Sequence, residues 1–233
     1  SRSWKNLDLT LVSLSRWLAQ KAGESRLFSQ RRIEVIPNSL DTDIYKPLDK
    51  DFSRQLFNLP KDKKIILFGA ANATSNPRKG FAQLREALSL LSKNDLLLAV
   101  FGSGDSSLDF GLPVRYFGNL KDDYSLAALY SSADAMVVPS LQDNLPNTVL
   151  ESMACGTPVV GFNVGGIPDL IDHRVNGYLA KPGDPKDLAQ GIAWVIDNGQ
   201  SLGSNSRKKI EVEFSLKGQA NRYVELYDQI LKK

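Results

Sequence analysis

Four continuous apolar runs punctuate the middle of the chain: Ile65 to Phe68, Leu96 to Phe101, Ala135 to Val138 and Val159 to Phe162. Each is short and rich in β-branched or aliphatic side chains, the signature of strands buried on both faces of a parallel sheet. Between them the period changes. Leu84, Ala87, Leu88 and Leu91 recur at i, i+3, i+4 and i+7, and so do Leu126, Leu129, Tyr130 and Ala133, which is the spacing of one helical face. Strands alternating with helices predict an α/β fold built on a doubly wound parallel sheet. Upstream, Leu9 to Ser13 and Ile33 to Pro37 read as strands and Arg16 to Ala22 as a short helix. Downstream, Leu188, Ile192 and Val195 mark one helix, and Ala220, Tyr223, Val224, Tyr227 and Leu231 mark a terminal one. The stretch from Asn38 to about Lys64, rich in Asp, Pro and Lys, reads as a linker.

Composition narrows the picture in a few places. With 233 residues, 42% of them hydrophobic, the chain can bury a sizeable core. A net charge of +3 gives no ground for a nucleic-acid partner. Cys155 is the only cysteine and His173 the only histidine, so an intrachain disulfide is excluded and a structural Cys/His metal site is unsupported. No run approaches the roughly 20 apolar residues of a membrane span, and no charged-then-apolar signal opens the chain. The expectation is a soluble, cytoplasmic protein. Because the chain begins at Ser1 and within a patterned segment, it reads as a piece excised from a longer protein.

In doubly wound sheets ligands bind beyond the carboxyl ends of the strands, and the segments placed there carry the candidate chemistry. Gly69 follows the first buried run directly, and Arg78 and Lys79 precede Gly80 at a helix start. Main-chain amides, a helix dipole and two cations converging in this way suit a diphosphate. Gly102-Ser103-Gly104 ends the second run, and Tyr116-Phe117-Gly118-Asn119-Leu120 precedes the next helix. After the third run comes Asp143-Asn144-Leu145-Pro146-Asn147-Thr148-Val149-Leu150-Glu151, then a helix stop at Gly156-Thr157-Pro158 and a strand. That spacing can hold Asp143 in the loop before a helix and Glu151 about two turns inside it, both facing one ligand. Pro146 suits the first helical turn, with Leu145, Asn147 and Thr148 offering amides to phosphate.

Taken together, residues 139–166 resemble the donor-binding segment of the retaining GT-B glycosyltransferases related to glycogen synthase and sucrose synthase, the glycosyl transferases group 1 family (family 4 type). The resemblance runs in order over about residues 7 to 231. It implies the C-terminal, Rossmann-like half of a GT-B fold. Residues 1–38 would be the remnant of the N-terminal acceptor domain, 39–214 the nucleotide-sugar domain, and 215–233 a terminal helix packing back toward the acceptor side.

The resemblance also assigns roles. Asp143 takes the position of the family's first acid, which hydrogen-bonds the transferred sugar, and Glu151 the second, which grips the ribose hydroxyls. Lys79 matches the family's diphosphate-binding Lys. Ala70 stands where the family has Arg, leaving Arg78 to substitute. Asp143 and Lys79 are the catalytic candidates; Gly69, Arg78, Lys79, Gly118, Leu120, Asp143, Asn144, Leu145, Asn147, Thr148 and Glu151 are the binding candidates. The implied ligand is a nucleoside diphosphate sugar, a UDP-sugar before a GDP-sugar, used without cofactor or metal. Its hexosyl group would pass to a polysaccharide or lipid-linked acceptor held by the absent N-terminal domain. The commonest family setting is the inner face of a bacterial membrane, with the full protein peripherally attached. A GT-B sugar-nucleotide epimerase and a non-catalytic scaffold domain are the alternatives.

Other features read as structural. Asp41-Thr42-Asp43 lies in the linker and matches a family turn rather than a metal site, and the glycines of Val164-Gly165-Gly166-Ile167-Pro168-Asp169 and Asn176-Gly177 shape turns. His173 reads as an exposed loop residue and Cys155 as a packed small side chain. Trp4, Trp17 and Trp194 have no sugar-stacking context in the sequence.

Overall fold

A computed structural model describes residues 7–69, 76–92, 94–103 and 109–232. Six parallel strands form one sheet in the spatial order β5-β4-β3-β6-β7-β8. In chain order these are β3 (Lys64–Gly69), β4 (Leu96–Phe101), β5 (Val114–Gly118), β6 (Ala135–Val138), β7 (Val159–Phe162) and β8 (Gly177–Ala180). Two further strands, β1 (Thr10–Ser13) and β2 (Arg32–Val35), pair in parallel as a separate ribbon around α1 (Arg16–Gly23).

Alternation along each buried strand divides the core. Ile65 and Leu67 face one way and join Tyr130, Met136, Val149 and Met153. Ile66 and Phe68 face the other and join Leu84, Leu88, Val137, Leu188 and Ile192. The first layer is supplied by α4 (Asp123–Ser132) and α5 (Asn147–Ala154), the second by α3 (Phe81–Ser89) and α7 (Pro185–Glu213). A short α6 (Ile167–Leu170) follows β7, and α8 (Leu216–Leu231) ends the chain. Asp122, Asp184 and Ser215 cap α4, α7 and α8 by accepting from the amides of their first turns.

The predicted linker contains a helix, α2 (Lys50–Leu56). It has no apolar stripe to announce it. Asp49 caps it through the Phe52 amide, and its buried Arg54 is what docks it. The Arg54 guanidinium donates to Asp134 at 2.7 Å and to the carbonyls of Ser132 and Lys61. Asp134 in turn accepts from Lys50 and from the Ile65 amide, each at 2.7 Å, tying α2 to the amino end of β3. The terminal helix α8 meets the segment after β2: Gln219 donates to the Pro37 carbonyl at 2.7 Å and accepts from Ser39, while Arg32 bonds Gln229.

Strand order reverses between β3 and β6, which places the crevice of this sheet beyond their carboxyl ends. No helix among the described residues is long and apolar enough to cross a membrane.

Among the described residues, the Ser53 hydroxyl of α2 is fully buried with no hydrogen-bond partner. Removing an unsatisfied hydroxyl from a helix interior relieves its desolvation and favours the helix. Ser53→Ala should therefore stabilise the fold by about 1 kcal/mol, read as a higher urea midpoint with unchanged slope; a lower midpoint would mean the hydroxyl is satisfied.

Candidate functional site

Two loops meet at the crevice. The first leaves β3 and ends in a 3-10 turn, Pro77–Lys79, capped by Asn76, whose side chain accepts from the Arg78 amide. The second leaves β6 and runs from Pro139 to Pro146 into α5. They are joined through main chain: Leu141 N–H donates to the Arg78 carbonyl at 2.7 Å. Gly80 has φ +68, and a Cβ there would lie 1.7 Å from the Pro139 carbonyl oxygen, so only glycine permits this approach.

Across that junction the Lys79 ammonium donates to the Asp143 carboxylate at 2.9 Å, linking residues 64 positions apart. Trp17 from α1, Asn76, Arg78 and Lys79 from the 3-10 turn, and Gln142, Asp143 and Asn144 from the second loop enclose a cleft of about 280 Å³. Trp17 is thus brought to the catalytic candidates, which its sequence context gave no reason to expect.

Asp143 and Asn144 are braced from behind by the loop after β7. The Gly166 amide donates to the Asp143 carbonyl at 3.1 Å. A Cβ on Gly165 would meet that same oxygen at 1.9 Å, and one on Gly166 would meet the Asn144 carbonyl at 1.7 Å. These glycines shape a turn, as expected, and that turn lies against the main chain of Asp143 and Asn144. The Asn144 side chain accepts from Ser15 Oγ at 2.6 Å, and Ser15 also caps α1 by accepting from Leu18 N–H. Asp169 completes the anchor by accepting from the Arg16 amide at 2.7 Å. A glycine at position 144 could not make the bond to Ser15.

Glu151 lies elsewhere in the arrangement. Helix α5 begins at Asn147 with Pro146 as its N-cap, so Pro146 precedes the helix rather than occupying its first turn, and Glu151 sits just over one turn inside rather than two. The cause is Leu145, whose buried side chain belongs to the core and which the following proline keeps extended. Leu145 therefore precedes the helix start, and the amides at that end come from Asn147 and Thr148. No side chain caps this end. Asn147 accepts from Asn38 at 3.3 Å through its side chain.

Glu151 is half-buried and does not line the Trp17 cleft. Its carboxylate accepts from Tyr130 OH at 2.7 Å. Burial raises its pKa above the ordinary 4.5; the Tyr130 bond opposes this, and the nearby Asp123 charge adds to it. Burial beside Glu151 also pushes the Tyr130 and Tyr45 phenols well above their usual range, keeping both as donors. Tyr45 donates to Asp123 at 2.9 Å. Behind Tyr130 stands Phe101, edge to face at 5.6 Å, and Gly69 makes room for it, since a Cβ there would fall 2.0 Å from the Phe101 ring. Tyr130 had been legible only as an apolar position; a buried phenol needs an acceptor, and that requirement was the available signal.

The other candidates distribute as follows. Gly118 has φ +62 with open space where a Cβ would stand, its carbonyl accepts from Gly102 N–H at 2.7 Å, and Leu120 packs against the core. Ala70 and Gly104 lie outside the described residues. Asp41 folds back on the amides of Asp43 and Ile44. His173 is exposed and accepts from the Leu179 amide. Cys155 is buried, and burial pushes its thiol up to about 12, which suits packing and not nucleophilic attack. Among the described residues, no group of three or more His, Cys, Asp or Glu side chains could hold a metal.

Lys79, Asp143 and Glu151 lie within the stretch, residues 62–198, that matches the sequence profile described as "Glycosyl transferases group 1". The chain belongs to that family. Similar curated proteins include an uncharacterized glycosyltransferase of Methanocaldococcus jannaschii, 32% identical over 75% of this chain and 47% of its own length. Another is a D-inositol 3-phosphate glycosyltransferase of Mycolicibacterium smegmatis, 30% identical over 79% of this chain and 44% of its own. The chain spans about half the length of the curated relatives it matches. Among solved structures, a sucrose-phosphate synthase from Thermosynechococcus elongatus superposes with a TM-score of 0.84 at 24% identity, over 98% of this chain and 60% of the other. Anabaena HepE in complex with UDP-glucose gives 0.76 at 22% identity, over 94% and 63%. The group 1 transferase domain thus has the Rossmann-like sheet of the GT-B glycosyltransferases, as its pattern predicted.

The raised pKa of Glu151 has a consequence for stability. A carboxyl that holds its proton more tightly folded than unfolded makes folding less favourable as pH rises from 4.5 through the raised folded value, and costs nothing below 4.5. Glu151→Gln, which keeps an acceptor for Tyr130 without the charge, should melt higher than wild type near neutral pH. That advantage should shrink on acidification and vanish below about 4.5. Equal melting at neutral pH would contradict a buried, ionised Glu151.

Proposed function

We propose that this chain is the donor-binding half of a retaining GT-B glycosyltransferase that takes a hexosyl group from a nucleoside diphosphate sugar. A UDP-sugar is the first candidate and a GDP-sugar the second. The acceptor is a polysaccharide or glycolipid bound by an N-terminal domain of which residues 1–38 are the remnant. Residues 39–214 bind donor, and 215–233 return toward the acceptor side. The carrying observation is the Lys79–Asp143 pair, set at the strand-order reversal by two loops whose main chains touch. The HepE complex, a protein of similar fold described with UDP-glucose, supports a nucleotide-sugar ligand.

In this reading Lys79 and Asp143 are partners only until donor arrives. Lys79 then turns to the diphosphate together with Arg78 and the Asn147 and Thr148 amides, and Asp143 accepts from sugar hydroxyls. Negative charge grows on the departing diphosphate as the anomeric bond breaks, and fixed donors aimed at it stabilise that state without a metal ion. Gly69, Gly118 and Leu120 border the donor through their main chain, while Asn144 and Leu145 fix the loop. Glu151, aligned by Tyr130, accepts from the ribose 2′- and 3′-hydroxyls. The fall in its solvation that raises its pKa also strengthens those bonds once it is ionised.

Calorimetric titration with UDP, GDP, ADP and their glucose and mannose conjugates tests this directly. One nucleotide series should bind with or without magnesium. A folded chain that binds none, or only with magnesium, would overturn the proposal. Glu151→Ala should weaken nucleotide binding roughly ten- to a hundred-fold, the worth of about 1.5–3 kcal/mol of charged hydrogen bonding, without unfolding the chain. Unchanged affinity would remove the ribose role.

A further inference from the structure

The first turn of α1 is pinned to the donor loops from both sides. Ser15 bonds Asn144 and Asp169 holds the Arg16 amide, so the next residue, Trp17, is presented at the cleft that Lys79 and Asp143 also line. The cleft's chemistry is selective. With Lys79 and Arg78 turned to the diphosphate, as proposed, the cleft of about 280 Å³ keeps an indole, the Asp143 carboxylate and the carboxamides of Asn76, Gln142 and Asn144 for the sugar. That space is near the lower end of small-molecule sites. An indole lining the same cleft as a carboxylate and carboxamides matches a single pyranose ring. The C–H face of a sugar carries partial positive charge that complements the negative face of an indole, and its hydroxyls need acceptors and donors on the other side.

We infer that Trp17 is a sugar-stacking wall: it clamps the transferred hexose against Asp143 and so makes the donor loop discriminate a sugar nucleotide from the bare nucleotide. This rests on the donor-site reading of Lys79 and Asp143. It also gives the α1 anchor a purpose, because Ser15, Asn144 and Asp169 fix the distance between the indole and the carboxylate and thereby the thickness of ring that fits. Trp17 contacts substrate in this scheme, whereas Ser15 and Asp169 are positioning residues.

The test compares wild type, Trp17→Phe, which keeps a flat π-face, and Trp17→Leu, which keeps apolar bulk without one. Affinities for UDP and UDP-glucose are measured by calorimetry, with GDP and GDP-mannose in parallel, and folding is checked by melting. Wild type and Trp17→Phe should bind the sugar conjugate more tightly than the bare nucleotide. Trp17→Leu should lose about three- to ten-fold of that preference while its affinity for bare nucleotide stays unchanged. A preference unaltered in Trp17→Leu, an equal loss for nucleotide and conjugate, or a wild type that gains nothing from the sugar would each overturn the stacking role and leave the nucleotide site standing. A folded wild-type chain that binds neither nucleotide would overturn the donor site and the subsite together.

Discussion

Main chain lying directly on main chain is the constraint from which the site follows. At the carboxyl ends of β3, β6 and β7 three loops approach so closely that Gly80 touches the Pro139 carbonyl and Gly165 and Gly166 touch those of Asp143 and Asn144. Side chains of any size at these glycines would push the loops apart. The contacts are short-range and numerous, and packed interiors resist small displacements, so Asp143 is held by backbone before its side chain meets any partner. Its ion pair with Lys79 is then a consequence of the loop geometry rather than its cause. On the proposed reading, both groups then exchange one another for the ligand.

The second acid is held by a different device. Glu151 is carried on a regular helix and oriented by one phenol, with Tyr45 and the Asp123 charge nearby. Here function and stability pull in opposite directions: burial without a cation makes the charge costly in the free protein, and the same burial makes it a stronger acceptor for a diol. The two acids therefore differ in their surroundings, with a cation-paired carboxylate lining the Trp17 cleft and a tyrosine-aligned one inside α5. That asymmetry suits a ligand with a reacting sugar at one end and a recognition group at the other.

Much of this was legible in the chain. The runs at 96–101, 135–138 and 159–162 coincide with β4, β6 and β7, because strands buried on both faces must be apolar throughout. The edge strands β5 and β8 escaped notice. β5 has no fully buried residue, β8 is only four residues long, and each includes a glycine that reads as a turn. Helix α2 was hidden because its docking depends on the buried Arg54 and its bond to Asp134, not on an apolar stripe. The Asp143-to-Glu151 spacing located the helix but not its first residue, since the core demand of Leu145 delayed the start. Trp17 and Tyr130 were unreadable as site residues because each acquires its partner across a long sequence separation.

A crystal structure of this chain with UDP-glucose bound is the most direct measurement of the central claim, that the β3 and β6 loops and α5 together form one donor site. The account predicts the Lys79–Asp143 bond opened, with Lys79 on the diphosphate, the glucose between Asp143 and Trp17, and the ribose hydroxyls on Glu151. Nucleotide bound away from these loops, with the Lys79–Asp143 bond intact, would contradict it.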